Sequence, residues 1–144
     1  MDDLPRAAPG EKLVLLVDDD ESLLDLMEHF IKREGFRTDR AEDGAEALRK
    51  AQALAPDIMI LDMMLPGLGG YEVLRQLQAS GCGDIPIIVV TGRAMDEQGI
   101  ELIRQESNVK EFMAKPVRPP LLAAALHRLL NTQPLGLSGG EPGA

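Results

Sequence analysis

The residues best equipped for chemistry follow short apolar runs. Leu13-Val14-Leu15-Leu16-Val17 leads into Asp18-Asp19-Asp20, and Ile58-Met59-Ile60-Leu61 leads into Asp62. The run from Ile85 to Val90 leads into Thr91-Gly92, and Phe112-Met113-Ala114 leads into Lys115-Pro116. Carboxylates gathered in a low-dielectric site repel one another and need a cation at neutral pH. An all-oxygen set favours a hard ion, most naturally Mg2+, which keeps waters and bridges carboxylate to phosphate. Lys115 adds a point positive charge suited to a phosphoryl oxygen, and Thr91 adds a hydroxyl donor. Such a set could stabilise the equatorial oxygens of an in-line phosphoryl transfer. Asp62 stands alone after its run and is the better nucleophile, while Asp18 and Asp19 are the better metal anchor.

The elements that must position these groups alternate in type. The apolar runs read as strands buried on both faces. Leu23, Leu24, Met27, Phe30 and Ile31 recur at helical spacing, and Gly35 supplies a stop. Phe36 to Ala41 reads as a short strand, and Asp43 caps a helix from Gly44 to about Leu54. Leu65 to Gly70 is a loop, and Tyr71 to Gln78 a helix. A weaker helix spans about Asp96 to Glu106, Phe112 to Ala114 is a brief strand, and Pro119 to Leu130 is the last helix. Five strand–helix pairs predict an α/β fold: a five-stranded parallel sheet, doubly wound, with helices on both faces. Ligands of such sheets bind at the carboxyl ends of the strands, where these polar groups lie.

Composition narrows the function classes. The chain has 144 residues, room for one domain, and a net charge of −9. That charge disfavours a general nucleic-acid binder and docking on an anionic membrane. The single cysteine, Cys82, excludes an internal disulfide, and no apolar run approaches the roughly 20 residues of a membrane span. The expectation is a cytoplasmic domain over 12–130, with a flexible leader over 1–11 and a disordered Gly/Pro-containing tail over 131–144.

Val17-Asp18-Asp19, Leu61-Asp62-Met63-Met64-Leu65-Pro66, Val90-Thr91-Gly92 and Ala114-Lys115-Pro116, in that order on this pattern, resemble the receiver domain of response regulators in two-component signal transduction. The resemblance spans roughly residues 12–130 and implies the flavodoxin-like receiver fold. It implies that Asp62 is the phosphoacceptor, that Asp19 is the direct Mg2+ ligand, and that Asp18 acts mostly through metal-bound water. It implies that the backbone carbonyl of Met64 completes the metal site. Thr91 becomes the switch hydroxyl, Lys115 the partner of a phosphoryl oxygen, and Phe112 the switch aromatic. It further implies a cis Lys115–Pro116 peptide bond, and a histidine kinase or histidine phosphotransfer protein as phosphodonor. The output is then contact with a downstream protein target, or a phosphorylation-dependent homodimer, and the chain is not an enzyme beyond weak self-phosphatase activity.

Some residues depart from the family's pattern. Gly69 replaces a usual acid, so the loop from Pro66 to Gly70 should be more flexible than most. Gly92 replaces a commoner alanine, the segment Glu106 to Lys110 lacks the usual Gly-Ala pair, and Arg118 stands where a capping residue is expected. Other residues have ordinary readings: Asp20 as a helix cap, His29 and His127 as surface histidines, Cys82 as a free thiol, Met59, Met63 and Met64 as packing and loop residues. Competing functions remain in view. A Mg2+-dependent phosphohydrolase normally needs a general acid two residues after its nucleophile, where this chain has Met64. A pseudo-receiver would keep the fold without carrying phosphate, and a receiver excised from a larger hybrid kinase would share every motif.

Overall fold

The apolar runs become the interior of one sheet. The computed structural model describes residues 6–92 and 96–134. Its strands are β1 (Leu13–Val17), β2 (Arg37–Ala41), β3 (Ile58–Asp62), β4 (Ile87–Thr91) and β5 (Val109–Ala114). Its helices are α1 (Glu21–Arg33), α2 (Gly44–Leu54), α3 (Gly70–Ala79), α4 (Glu97–Arg104) and α5 (Pro119–Leu130). All pairings are parallel, in the order β2-β1-β3-β4-β5. This is the doubly wound α/β architecture that the alternation of patterns predicts, in the flavodoxin-like arrangement that the resemblance implies.

Side chains alternate between the faces of a strand, and the core divides accordingly. Leu15, Val17, Met59, Leu61, Ile87 and Val89 pack with Ala47 and Ala51 of α2, Val73, Leu74 and Leu77 of α3, and Ile103 of α4. Val14, Leu16, Ile58, Ile60, Ile88 and Val90 pack with Leu24, Met27 and Ile31 of α1 and Leu122 and Leu126 of α5. The edge strands are the polar ones. Arg37, Asp39 and Arg40 on β2, and Lys110 and Glu111 on β5, blunt edges that would otherwise invite pairing with another chain.

Helix ends follow local chemistry. Asp20 Oδ1 accepts hydrogen bonds from the amides of Ser22 and Leu23, and Asp43 Oδ1 accepts from Glu46. Gly35, at φ 98°, takes the left-handed conformation that closes α1. Arg118 provides no side-chain cap, but Pro119 follows it and has no N–H to satisfy.

The structure corrects several boundaries. β5 begins at Val109, three residues earlier than its apolar pattern suggests, and β4 begins at Ile87, after Pro86. α4 stops at Arg104, with Asp96 as its cap. The expected loose leader holds a 3-10 turn at Pro9–Glu11, and Ala7 bridges to Thr132. The Ala7 amide donates to the Asn131 carbonyl at 3.0 Å, and the Gln133 amide donates to the Ala7 carbonyl at 3.2 Å. The expected tail is therefore structured over 131–134, and its remainder lies outside the described residues. His127 is not a surface histidine. It is buried, with Nδ1 at 2.7 Å from Thr132 Oγ1 and Nε2 at 2.8 Å from Glu34 Oε1. Among the described residues no helix is long and apolar enough to cross a membrane.

Candidate functional site

Strand register brings the acids together. β1 and β3 are neighbours, and their register pairs Val17 with Leu61. The next residues, Asp18 and Asp62, therefore stand side by side at the carboxyl ends. β2 lies on one side of β1 and β3 on the other, so this is also where the strand order reverses and a crevice opens. Alternation gives Asp18 the parity of Leu16, Asp62 that of Ile60 and Lys115 that of Met113, so all three start from one face.

Asp18 is 1% exposed and Asp62 3%. The Lys115 ammonium lies between them, 3.2 Å from Asp18 Oδ2 and 3.3 Å from Asp62 Oδ2. The remaining oxygens take backbone donors: Asp18 Oδ1 accepts from the Asp20 amide at 2.9 Å, and Asp62 Oδ1 accepts from the Met64 amide at 3.0 Å. Burial pushes the Asp18 carboxyl above its ordinary pKa. The nearby Asp62 charge adds to that, against the Asp20 amide and Lys115, which pull it down. For Lys115 burial acts downward, but the hydrogen bonds and charges of Asp18 and Asp62 outweigh it and raise its pKa. Lys115 precedes Pro116 through a cis peptide bond, as the resemblance implies.

The donor set fits a hard cation. One oxygen each from Asp18, Asp19 and Asp62 falls within a common span of 4.8 Å, and Asp19 is exposed at the mouth. Among the described residues one lysine offsets one of three carboxylate charges, two of them buried, and that balance of charge suits Mg2+. The Met64 amide bonded to Asp62 places that residue's backbone beside the acids, where the expected carbonyl ligand would lie.

Thr91 and Phe112 belong to the opposite face. Thr91 has the parity of Ile87 and Val89, and Phe112, paired with Val89 in register, packs against the same cluster. Thr91 is buried, and among the described residues its hydroxyl makes only a long 3.4 Å hydrogen bond to the Gly92 carbonyl. A Cβ on Gly92 would meet nothing within 4 Å among the described residues.

Sequence reading missed three supports of this site. A Cβ on Gly70 would lie 2.6 Å from Met63 Cα, so the first turn of α3 sits directly on the backbone after Asp62. A Cβ on Gly44 would lie 2.5 Å from the Leu68 carbonyl oxygen, and Leu68 packs into the core. The loop after Asp62 is thus braced at Leu68, which qualifies the flexibility expected from its glycines. The segment that lacks the Gly-Ala pair holds the buried Asn108: Gln78 Nε2 donates to its Oδ1 at 2.9 Å, and its Nδ2 donates to the Leu74 carbonyl at 3.4 Å. Of these, the sequence shows only the Gly69-Gly70 pair that opens α3.

Comparison with known proteins agrees with this geometry. The family model of the response regulator receiver domain matches residues 14–127. The chain is 35% identical over 130 residues to the alkaline phosphatase synthesis transcriptional regulatory protein PhoP of Bacillus subtilis, covering 90% of this chain and 53% of that one. It is 35% identical over 118 residues to the DNA-binding response regulator MtrA of Mycolicibacterium smegmatis, covering 82% and 50%. The chain thus spans about half the length of these relatives. Their descriptions as transcriptional and DNA-binding regulators lend no support to an absence of nucleic-acid partners expected from charge. A solved receiver domain of a sensor histidine kinase from Pseudomonas aeruginosa superposes with TM-score 0.75 at 28% identity, over 88% of this chain and all of that one. That structure has magnesium coordinated in its active-site cleft. A chemotaxis response regulator of Vibrio cholerae gives TM-score 0.74 at 27% identity, over 83% and 98%. By sequence, architecture and the convergence of its strand ends, this chain belongs to the response regulator receiver domains of two-component systems.

Proposed function

We propose that Asp62 accepts a phosphoryl group from a phosphohistidine of a histidine kinase or histidine phosphotransfer protein, and that the resulting acyl phosphate is the signal. The observation that carries this reading is the buried pair Asp18–Asp62 bridged by Lys115, with Asp19 in reach of a shared cation. Asp18, Asp19, Asp62 and the Met64 carbonyl would hold Mg2+, which when bound neutralises carboxylate and phosphoryl oxygens together. In the transfer, an Asp62 oxygen forms the new bond to phosphorus as the donor's N–P bond breaks, and the departing imidazole takes a proton from solvent. Lys115 releases Asp62 and pairs with a phosphoryl oxygen. Thr91, weakly held at 3.4 Å, turns its hydroxyl toward another, and Phe112 follows into the space vacated on that face. Attack of water on the acyl phosphate resets the site, so the chain acts as a switch with at most slow self-dephosphorylation. The change is read by a protein target, or by a second copy, at the surface of α4, β5 and α5, where Leu102 and Leu121 are more than half exposed.

Intact mass after incubation with acetyl phosphate, with and without Mg2+, tests the reading. The parent should gain one phosphoryl group only with Mg2+, and Asp62→Asn should gain none. A folded parent that gains none from acetyl phosphate or from a phosphorylated phosphotransfer protein would leave the pseudo-receiver reading instead.

A further inference from the structure

The ring assigned to the switch is already held by a charge. The Arg104 guanidinium carbon stands 5.2 Å from the centroid of the Phe112 ring, within cation–π range. Arg104 is the last residue of α4, an exposed position whose positive charge also suits the helix C-terminus. The ring it covers is half-buried on the face that carries Thr91. The segment just beyond Arg104 is anchored independently: Glu106 accepts from Tyr71 and Gln78 of α3, and Asn108 is buried beneath them. Arg104 therefore projects over Phe112 from a base tied to the neighbouring helix.

We infer that Arg104 is a positioning residue that holds Phe112 in its resting orientation and so sets the phosphorylation level at which the switch turns. The inference rests on the proposed function of Asp62, Thr91 and Phe112, and adds the regulation of that site. A ring that moves inward toward Thr91 leaves the guanidinium. The cation–π attraction then belongs to the resting state alone, and by linkage it opposes every ligand that favours the turned state. An exposed cation–π contact of ordinary strength corresponds to about a two- to fivefold shift in that equilibrium.

The test uses the whole chain labelled with 4-fluorophenylalanine, which marks its three phenylalanines, and beryllofluoride with Mg2+ as the phosphoryl mimic. Phe112→Leu assigns the Phe112 signal. Arg104→Gln should shift that signal before any mimic is added, and should lower the beryllofluoride midpoint about two- to fivefold. Arg104→Lys, which keeps a cation over the ring, should recover part of both effects. An Arg104→Gln protein with the parent's Phe112 signal and midpoint overturns the inference while leaving Asp62 chemistry intact. A folded parent with no beryllofluoride midpoint at all overturns the phosphoacceptor reading, and this inference with it.

Discussion

A carboxylate that is almost wholly buried, beside a second one just as buried, is a source of instability unless something positive is present. Lys115 reaches both Asp18 and Asp62 but offsets only one charge. Asp62→Asn keeps the shape of the side chain and removes the charge that faces Asp18. Without Mg2+ the variant should be more stable than the parent by about 0.5–2 kcal/mol. Its stabilisation by added Mg2+ should shrink, because one of three cation-facing oxygens has become neutral. Urea unfolding with and without Mg2+ measures both, and a variant less stable than the parent in the absence of Mg2+ would show that the Lys115 pairing outweighs the repulsion. A second acid behaves in the opposite sense. Burial pushes Glu28 up, but hydrogen bonds from Arg40 at 2.6 Å and Thr38 at 2.8 Å, with the Arg40 and Lys32 charges, bring its pKa below the ordinary value. A depressed folded-state pKa gives stability that is present above the unfolded pKa and lost as pH falls through the folded one. Glu28→Gln should therefore cost about 1 kcal/mol near neutrality and flatten the fall in stability on the acid side, read from urea midpoints across that range.

At the scale of elements, two backbone positions have opposite margins. Gly70→Ala would drive a methyl group into the Met63 backbone at 2.6 Å, and backbone cannot swing aside as a side-chain tip can. It should cost about 1–3 kcal/mol in thermal or urea unfolding, and weaken Mg2+ binding because α3 rests on the residues just after Asp62. Ala55 closes α2 at φ 47°, a left-handed conformation that penalises a Cβ. Ala55→Gly should raise stability by about 0.5–1 kcal/mol, since relief of that strain exceeds the added freedom of the unfolded chain. The central strands were legible because burial on both faces demands continuous apolar residues, as in Ile58 to Leu61. The acids were legible for the same reason: a charge placed directly after such a run must sit at the strand's end. β5 was read too short because it is an edge strand, and Lys110 and Glu111 interrupt its pattern where solvent permits charge. Contacts between distant segments leave no local trace. His127 meets Glu34 across 93 positions, and on an amphipathic helix it looked like a surface residue. Arg104 over Phe112 likewise depends on where the end of α4 lands beside β5.

The molecule as a whole is joined at the end of the sheet away from Asp62 by a buried polar link. His127 connects Glu34, just past α1, to Thr132, just past α5, and Thr132 pairs with Ala7. Thr132 is 2% exposed, so Thr132→Val would leave a buried imidazole nitrogen without its partner. It should cost about 1–3 kcal/mol in urea unfolding while leaving Mg2+ binding at the far end unchanged. The Ala7–Thr132 bridge has another consequence, which concerns the order of the chain. Arg6 and Pro134 line one surface hollow beside that parallel bridge, so a short peptide joining them would close the domain into a ring. Reopened between Gly83 and Asp84, in the loop before β4, that ring would run Thr91 and Lys115 first, then Asp18 and Asp62. The architecture asks only that these strands become neighbours, and a permuted chain of that kind should assemble the same acidic crevice with Thr91 and Lys115 synthesised before the two buried acids.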